Sequence, residues 1–398
     1  MENSIGRRKA HAVPIAIFVL ALLGVVPALA EAPIKIGIVH PFSGPLAVVG
    51  IDATNGFTFY FDQIGNKVAG RDIVLLKEDD AANPAQGMER TRRLVERDHV
   101  DILSGITNSA VAYAVRYYIA EKKIPLVVMG SAGANDLTDK MASPYIFRTS
   151  FTNRQLAAPF GPYACTKLGY KRIVVMASDF VTGYEESAAF EERYKAAGCE
   201  VVKEIRAPLG TVDFAPFLAQ VPATGVDAVW AMFFAADAIA FVKQYEALGL
   251  KGKIPLVGPA GFADQTLLPA MGKAATGIVS TTFYTAYLDN PENKAFVDGF
   301  RKKYNMLPGS TALSGYDGAM AIATAIEAVK GKIEDKDAFL AALHAVKLTT
   351  PMGPFRFDDK RNVIFDLYVT RVIDRDGTIM PETVELMARD VDQYGNFK

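Results

Sequence analysis

Histidine and cysteine are scarce in this chain, with 4 His and 2 Cys in 398 residues. His11 falls in an N-terminal leader; His40, His99 and His344 are far apart and lack ligand spacing, which excludes a zinc site as a reading. Also missing are a Gly-x-Ser-x-Gly elbow, a His-Glu-x-x-His motif and a Gly-x-x-x-x-Gly-Lys-[Ser/Thr] phosphate loop. No Gly-x-Gly-x-x-Gly follows the first expected strand; Phe42-Ser43-Gly44-Pro45 stands there instead. The Asp79-Asp80 pair reads as a cap on a strand end and the next helix, not as acid catalysis. His40, closing a strand, reads as a packed or hinge-proximal imidazole and not as a base. These residues imply no enzyme, no metal and no cofactor.

Charge excess of either sign is absent too: the formal net charge is −1. Arg7-Arg8-Lys9, the apolar run Val13 to Val26 and Ala28-Leu29-Ala30 before Glu31 read as a cleavable signal peptide over residues 1–30. No Cys follows the cleavage site to take a lipid, so the mature chain is expected free in the periplasm. Losing Arg7, Arg8, Lys9 and Glu2 with the leader takes the charge from −1 to −3. That is no basis for binding nucleic acid or an acidic membrane. Export permits a disulfide between Cys165 and Cys199, as a staple and not a redox site. One Cys lies in an expected helix and the other just before an expected strand, so their pairing stays open.

What the chain does have is a regular alternation of strand and helix, and a length that suggests two lobes. Strands are expected at Ile34–His40, Asp72–Asp79, Val100–Leu103 and Pro125–Met129, with helices at Val49–Ile64, Gln86–Arg97 and Ala110–Lys122. A second series follows: helix Asn153–Leu168, strand Arg172–Ser178, helix Gly183–Ala197, strand Glu200–Ile205, helix Phe214–Gln220, strand Ala228–Met232, helix Ala236–Leu248 and strand Pro255–Gly258. Pro291–Tyr304, Leu313–Val329 and Lys336–Val346 read as helices that cap an existing lobe. Gly353–Phe357 and Val363–Ile373 read as the arms of an antiparallel hairpin turning at Asp358–Asn362. Crossings between lobes are expected at Arg148–Thr152, Ser280–Tyr284 and near Gly353–Phe355, three connections that would make a hinge. The resulting division is 33–150 plus 282–354 for one lobe and 151–281 plus 355–398 for the other.

Two strands of the first series run into small polar loops, Ile106-Thr107-Asn108-Ser109 and Gly130-Ser131-Ala132-Gly133-Ala134-Asn135-Asp136. Loops of this kind at neighbouring strand ends offer free N–H groups and hydroxyls to an anion without needing a basic side chain. In a doubly wound sheet the crevice at the carboxyl ends of the strands is where ligands sit.

Several segments, in order and spacing, resemble one family along essentially the whole mature chain. They are Ile36-Gly37-Ile38-Val39-His40-Pro41-Phe42-Ser43-Gly44-Pro45, Asp79-Asp80 with Asn83-Pro84, Pro144-Tyr145-Ile146-Phe147-Arg148-Thr149 and Gly315-Tyr316-Asp317-Gly318. The chain is thereby similar to periplasmic solute-binding proteins of the leucine/isoleucine/valine type, which serve ATP-driven (ABC) importers. The resemblance implies an α/β fold of two Rossmann-like lobes (type I periplasmic binding protein), joined by a three-crossing hinge that closes on ligand. It implies as partners a small-molecule ligand and the membrane permease subunits, with the protein itself a monomer.

In amino-acid binders of that family the two loops hold the ligand carboxylate, which maps the role onto Asn108, Ser109, Ser131, Ala132 and Gly133. Gly133 stands where a Thr is common. Gly258-Pro259-Ala260 departs further, since those binders follow Gly-Pro with a Glu that pairs with the ligand ammonium. Val49 and Thr182 each replace a usual Tyr. A buried ammonium without an anionic partner costs several kcal/mol. Asp264, or less readily Asp237, could supply a displaced carboxylate, although Asp264 also reads as a helix N-cap. The remaining cleft set, Phe42, Val49, Phe234, Ala260, Phe262 and Tyr284, is almost wholly apolar, with Thr182 closing from the second lobe. An anion-binding end and an apolar wall suit an aromatic carboxylate of benzoate or phenylpropanoid type. Phe151-Thr152, Val174 to Asp179 and Pro208 to Phe217 also resemble the family's aromatic-acid branch. The alternative is a branched-chain amino acid or small amide in the same fold.

Overall fold

Strands of a parallel sheet covered on both faces read as near-continuous apolar runs. The apolar run Ile34–His40 forms β1, inside a six-stranded sheet of the computed structural model, which describes residues 1–2 and 31–398. The expected leader therefore lies almost wholly outside the described residues. The other strands are β2 (Lys67–Val68), β3 (Arg71–Asp79), β4 (Ile102–Gly105), β5 (Leu126–Val128) and β6 (Ile146–Arg148), in spatial order β2-β3-β1-β4-β5-β6. β1 is parallel to both neighbours, with Ile36 opposite Leu75 on one side and Ile102 on the other.

A second sheet has seven strands. β7 (Arg172–Asp179), β8 (Glu200–Pro208), β9 (Ala228–Met232), β10 (Leu256–Gly258) and β11 (Val279–Thr282) form its parallel part. β12 (Lys347–Thr350) and β13 (Gly353–Arg356) pair apart from it, and β14 (Phe365–Arg375) and β15 (Thr378–Val391) complete its antiparallel edge. The order is β15-β14-β11-β10-β9-β7-β8. The mixed α/β architecture of two largely parallel sheets is the fold expected from the sequence. In each sheet the order reverses once beside a central strand, between β1 and β4 in the first and between β7 and β9 in the second. Those reversals open crevices at the carboxyl ends of the strands.

The chain changes sheets between β6 and β7, leaves the second sheet after β11 and returns to it at β14. In between, helix Ser310–Ala328 lies along helix Ala47–Gln63. Arg148, buried at the first of these passages, donates to Thr138 Oγ1 (3.1 Å), Asn362 Oδ1 (3.0 Å) and the Ala134 carbonyl (2.7 Å). Burial in a dry site pulls its pKa down to about 10, so the guanidinium stays charged at neutral pH. It ties the loop after β5 to the last connection into the second sheet.

The hairpin expected at Gly353–Phe357 and Val363–Ile373 is corrected. Its arms meet only at a bridge between Phe357 and Val363, while β13 pairs with β12 and β14 pairs with β15 and β11. The overlooked signal is Asp376-Gly377, both at positive φ (53° and 83°), the turn chemistry that favours a tight hairpin. The helix expected over Asn153–Leu168 is two helices, Asn153–Ala157 and Phe160–Thr166. Pro159, at the break, has no N–H to continue the first. Cys165 and Cys199 form a disulfide between the second of these helices and the start of β8.

Candidate functional site in the interlobe cleft

The loops leaving the strand ends at both reversals converge on one cavity system. Its larger chamber encloses about 410 Å³ of empty space, open mouth included. Apolar walls come from Val49 on helix Ala47–Gln63, Phe151 after β6, Phe234 and Ala235 after β9, Ala260 after β10, and Leu267 and Phe283. An adjoining chamber shares Val49, Ser131 and Phe234 and adds Leu46, Thr107, Phe180 and Thr182. Three phenylalanines in these walls, Phe151, Phe234 and Phe283, make a slot that suits a flat apolar body.

One end of this system is rich in hydrogen-bond donors. Thr107, 4% exposed, has no hydrogen-bond partner for Oγ1 and lines the smaller chamber beside Ser131 and Thr182. Helices Val181–Ala196 and Ala235–Ala247 begin there, after Phe180 and Phe234, and neither has a side-chain cap. Uncapped helix starts present free N–H groups and the positive end of the helix dipole. Ile106, just before Thr107, sits at φ 61° and Ala235 at φ 51°. A β-branched residue in that region is an outlier, and such strain concentrates at sites where the backbone orients functional groups.

The larger chamber is also lined by Asp264, Thr266, Ser310 and Thr311, none of which lines the smaller one. Asp264 accepts from Thr266 N (3.0 Å) and Oγ1 (2.8 Å) through Oδ1, and from Ser310 N (3.0 Å) and Oγ (2.7 Å) through Oδ2. It therefore caps helix Ser310–Ala328 from the loop after β10. Asp52 accepts from Thr311 Oγ1 (2.7 Å), Ala312 N (2.8 Å) and Gly309 N (3.3 Å) at the same helix start. Burial first, and the neighbouring Asp264 second, push the Asp52 pKa up to about 7, although its donors pull the other way.

Of the residues expected at the site, Ser131, Phe234 and Ala260 line the larger chamber and Thr182 the smaller. The others are placed differently. Ser109 Oγ lies 3.2 Å from Thr182 Oγ1 and does not line either chamber. Asn108 is spent as an N-cap, accepting from Ala110 N (2.8 Å) and donating to the Ala82 carbonyl (2.8 Å). The amides of Ala132 and Gly133 donate to the carbonyls of Ile106 (3.3 Å) and Ser131 (2.7 Å) and are not free N–H groups. Phe262 packs in the second sheet's core against Phe241, and Tyr284 in the first sheet's core near Phe296. Phe42 packs edge-on to His40 and is absent from both chamber walls. His40 is buried and neutral, its pKa pulled down to about 4 by burial.

A bond network beside the cavity was not expected from the sequence. Glu185, on helix Val181–Ala196, accepts from Tyr113 Oη (3.0 Å), Asn135 N (2.8 Å) and Asn153 Nδ2 (2.9 Å). Gly133 belongs to the same corner: a Cβ there would lie 2.1 Å from Asn153 Oδ1. Gly133 thus makes room for a neighbour 20 positions on in sequence, which explains why no Thr stands at this point.

Among the described residues no helix is long and apolar enough to cross a membrane, and no group of His, Cys, Asp or Glu could hold a metal. A profile of the periplasmic binding protein family matches residues 33–378. The Leu/Ile/Val-binding protein homolog 6 of Brucella suis is 32% identical over 95% of this chain and 98% of its own. An ABC transporter substrate-binding protein from Sphaerobacter thermophilus superposes with a TM-score of 0.85 at 42% identity, covering 92% of this chain and all of that one (100%). A solute-binding protein of an ABC transporter from R. palustris, solved with benzoate, gives 0.85 at 32% identity over 90% of this chain and 97% of its own. With its two-sheet fold and a cavity between them, the chain belongs to the periplasmic binding protein family, as a solute-binding protein of the ABC-transporter type and not an enzyme.

Proposed function

We propose that this protein binds an aromatic carboxylate of benzoate or phenylpropanoid type in the cleft and delivers it to the membrane subunits of an ABC importer. The observation that carries this reading is the shape of the cavity's chemistry. Phe151, Phe234 and Phe283 flank a slot whose one end holds the Thr107, Ser131 and Thr182 hydroxyls and two uncapped helix starts. A carboxylate sits well at such an end, because charge-assisted hydrogen bonds are stronger than neutral ones. Its ring then stacks among the phenylalanines. The benzoate-bound relative supports the same class. The protein works as a monomer in the periplasm after loss of residues 1–30. Its lobes, 33–150 plus 282–354 and 151–281 plus 355–398, close about the three connections.

A branched-chain amino acid is the second reading, favoured by Asp264 in the wall and by the Leu/Ile/Val-binding relative. Against it, all of the strong acceptor positions of Asp264 already receive donors from Thr266 and Ser310. Calorimetric titration of protein refolded free of carried solute separates the two. Benzoate-type acids should bind and leucine should not; leucine binding without benzoate binding would reverse the assignment.

A further inference from the structure

The residues after β15 fold back instead of trailing into solvent. β15 ends at Val391, and Asp392–Lys398 turn onto it, with Lys398 N donating to the Arg389 carbonyl (3.0 Å). The Asp392 carboxylate holds this turn. Its Oδ1 accepts from Tyr394 N (2.9 Å) and Asn396 N (2.9 Å), and its Oδ2 from Asn396 Nδ2 (3.1 Å). Gly395 sits at φ 71°, and a Cβ there would meet Ala158 Cβ at 2.8 Å and the Arg154 carbonyl oxygen at 2.9 Å. Only glycine lets the turn lie this close to helix Asn153–Ala157.

The same turn bonds to separate parts of the molecule. Gln393, 3% exposed, accepts from Thr152 Oγ1 (2.8 Å) through its carbonyl and from Asn362 Nδ2 (2.7 Å) through Oε1. Thr152 lies on the passage from β6 to β7, and Asn362 on the last connection into the second sheet. Tyr394 Oη donates to Asp139 Oδ1 (3.1 Å), between β5 and β6 of the first sheet. Arg193, on helix Val181–Ala196 between β7 and β8 of the second, donates to Asn396 Oδ1 (3.0 Å).

We propose that the turn Asp392–Lys398 is a clasp on the connections between the sheets, holding them in the arrangement that joins their crevices into one cavity. If those connections bend freely, only a fraction of molecules is competent to bind, and apparent affinity falls by that fraction. A clasp raises the fraction without touching the ligand. Gln393, Tyr394 and Asn396 line neither chamber, so the effect does not depend on which solute the cleft takes.

The test measures spacing in ligand-free protein by double electron–electron resonance. Spin labels go on Tyr117→Cys, on helix Ser109–Lys122, and Val212→Cys, after β8; both positions are exposed. Relative to the full chain, a chain shortened to Val391 should give a broader distribution shifted to longer distance. The double variant Tyr394→Phe, Asn396→Ala should shift the same way by less, and it decides the matter if the shortened chain fails to fold. A distribution that is unchanged or narrower in the deciding variant overturns the clasp. Cys165→Ala with Cys199→Ala, which weakens the fold away from the turn, should leave the distance as it is. An equal shift there would mean that the distance reads stability alone, which also overturns the clasp.

Discussion

The Ser109 and Thr182 hydroxyls are 3.2 Å apart, both buried, and come from the starts of helices that belong to different sheets. The bond joins the two halves at the wall of the smaller chamber, which Thr182 lines and Ser109 does not. Ser109→Ala should therefore cost about 0.5–1.5 kcal/mol of binding free energy, the worth of a neutral hydrogen bond. Ser131→Ala, at a residue lining both chambers, should cost more, because the partner proposed for it is a charge. Calorimetry on the two variants checks the order; a larger loss for Ser109 would return the clamp to the first loop.

Glu185 gathers three donors from segments of the chain that precede its own sheet. Glu185→Ala strands Tyr113, Asn135 N and Asn153 together, and desolvated donors without partners cost about 1–3 kcal/mol each at the upper end. Ligand affinity should fall about tenfold or more although Glu185 lines neither chamber. Small-angle scattering should show a smaller change of radius on adding ligand than in wild type.

Raised carboxyl pKa values set the pH dependence of stability. Burial pushes Asp52 up to about 7 and Asp80 and Asp237 up to about 6, against ordinary values near 3.8. The native state holds these protons where the unfolded chain has lost them, so the stabilisation is complete below about pH 4 and declines as pH rises through 6 to 7. For Asp52, fully buried, the change is on the order of a few kcal/mol. Denaturant midpoints measured from pH 4.5 to 8 should fall, and Asp52→Asn should flatten the slope.

Closing a loop between Cys165 and Cys199, 34 positions apart, stabilises by about 3–4 kcal/mol in the chain-entropy account. Reduction, or the double Cys→Ala variant, should lower the denaturation midpoint by a matching amount. Affinity at the cleft should change little, since neither cysteine lines it.

Gly133→Thr would supply the hydroxyl that amino-acid binders carry here. With Asn153 Oδ1 2.1 Å from the new Cβ position, and Asn153 N donating to the Gly133 carbonyl at 2.7 Å, the loop has to move. The variant should lose stability by about 1–3 kcal/mol and gain no leucine binding, as thermal melts with and without leucine will show.

The gap between sequence and structure has physical causes that these residues illustrate. β9 at Ala228–Met232 and the helix Pro291–Tyr304 lie where pattern and caps put them, since apolar runs and an Asn-Pro start are local signals. β15 is not legible from pattern because Thr378–Val391 is an edge strand, half exposed and rich in charge, and lacks a buried strand's apolar run. Of the residues expected at the site, Ser131, Thr182, Phe234 and Ala260 line the cavity, and each follows a recognisable strand end. Thr107 shares its loop with Asn108 and Ser109, and only three-dimensional hydrogen bonding shows that those two are engaged while Thr107 Oγ1 has no partner. Ser310 and Thr311 enter the wall from a helix start some two hundred residues beyond Thr107, and no spacing rule links them to it.

The contact between Asp264 and Ser310 has a kinetic consequence. It is made by a loop after β10 and a helix packed on the first sheet's side, so the wall it builds exists only while those two segments are together. Solutes that satisfy this wall and solutes that do not will meet the same surface on arrival. Their association rates should be alike, and the difference between them should appear as residence time.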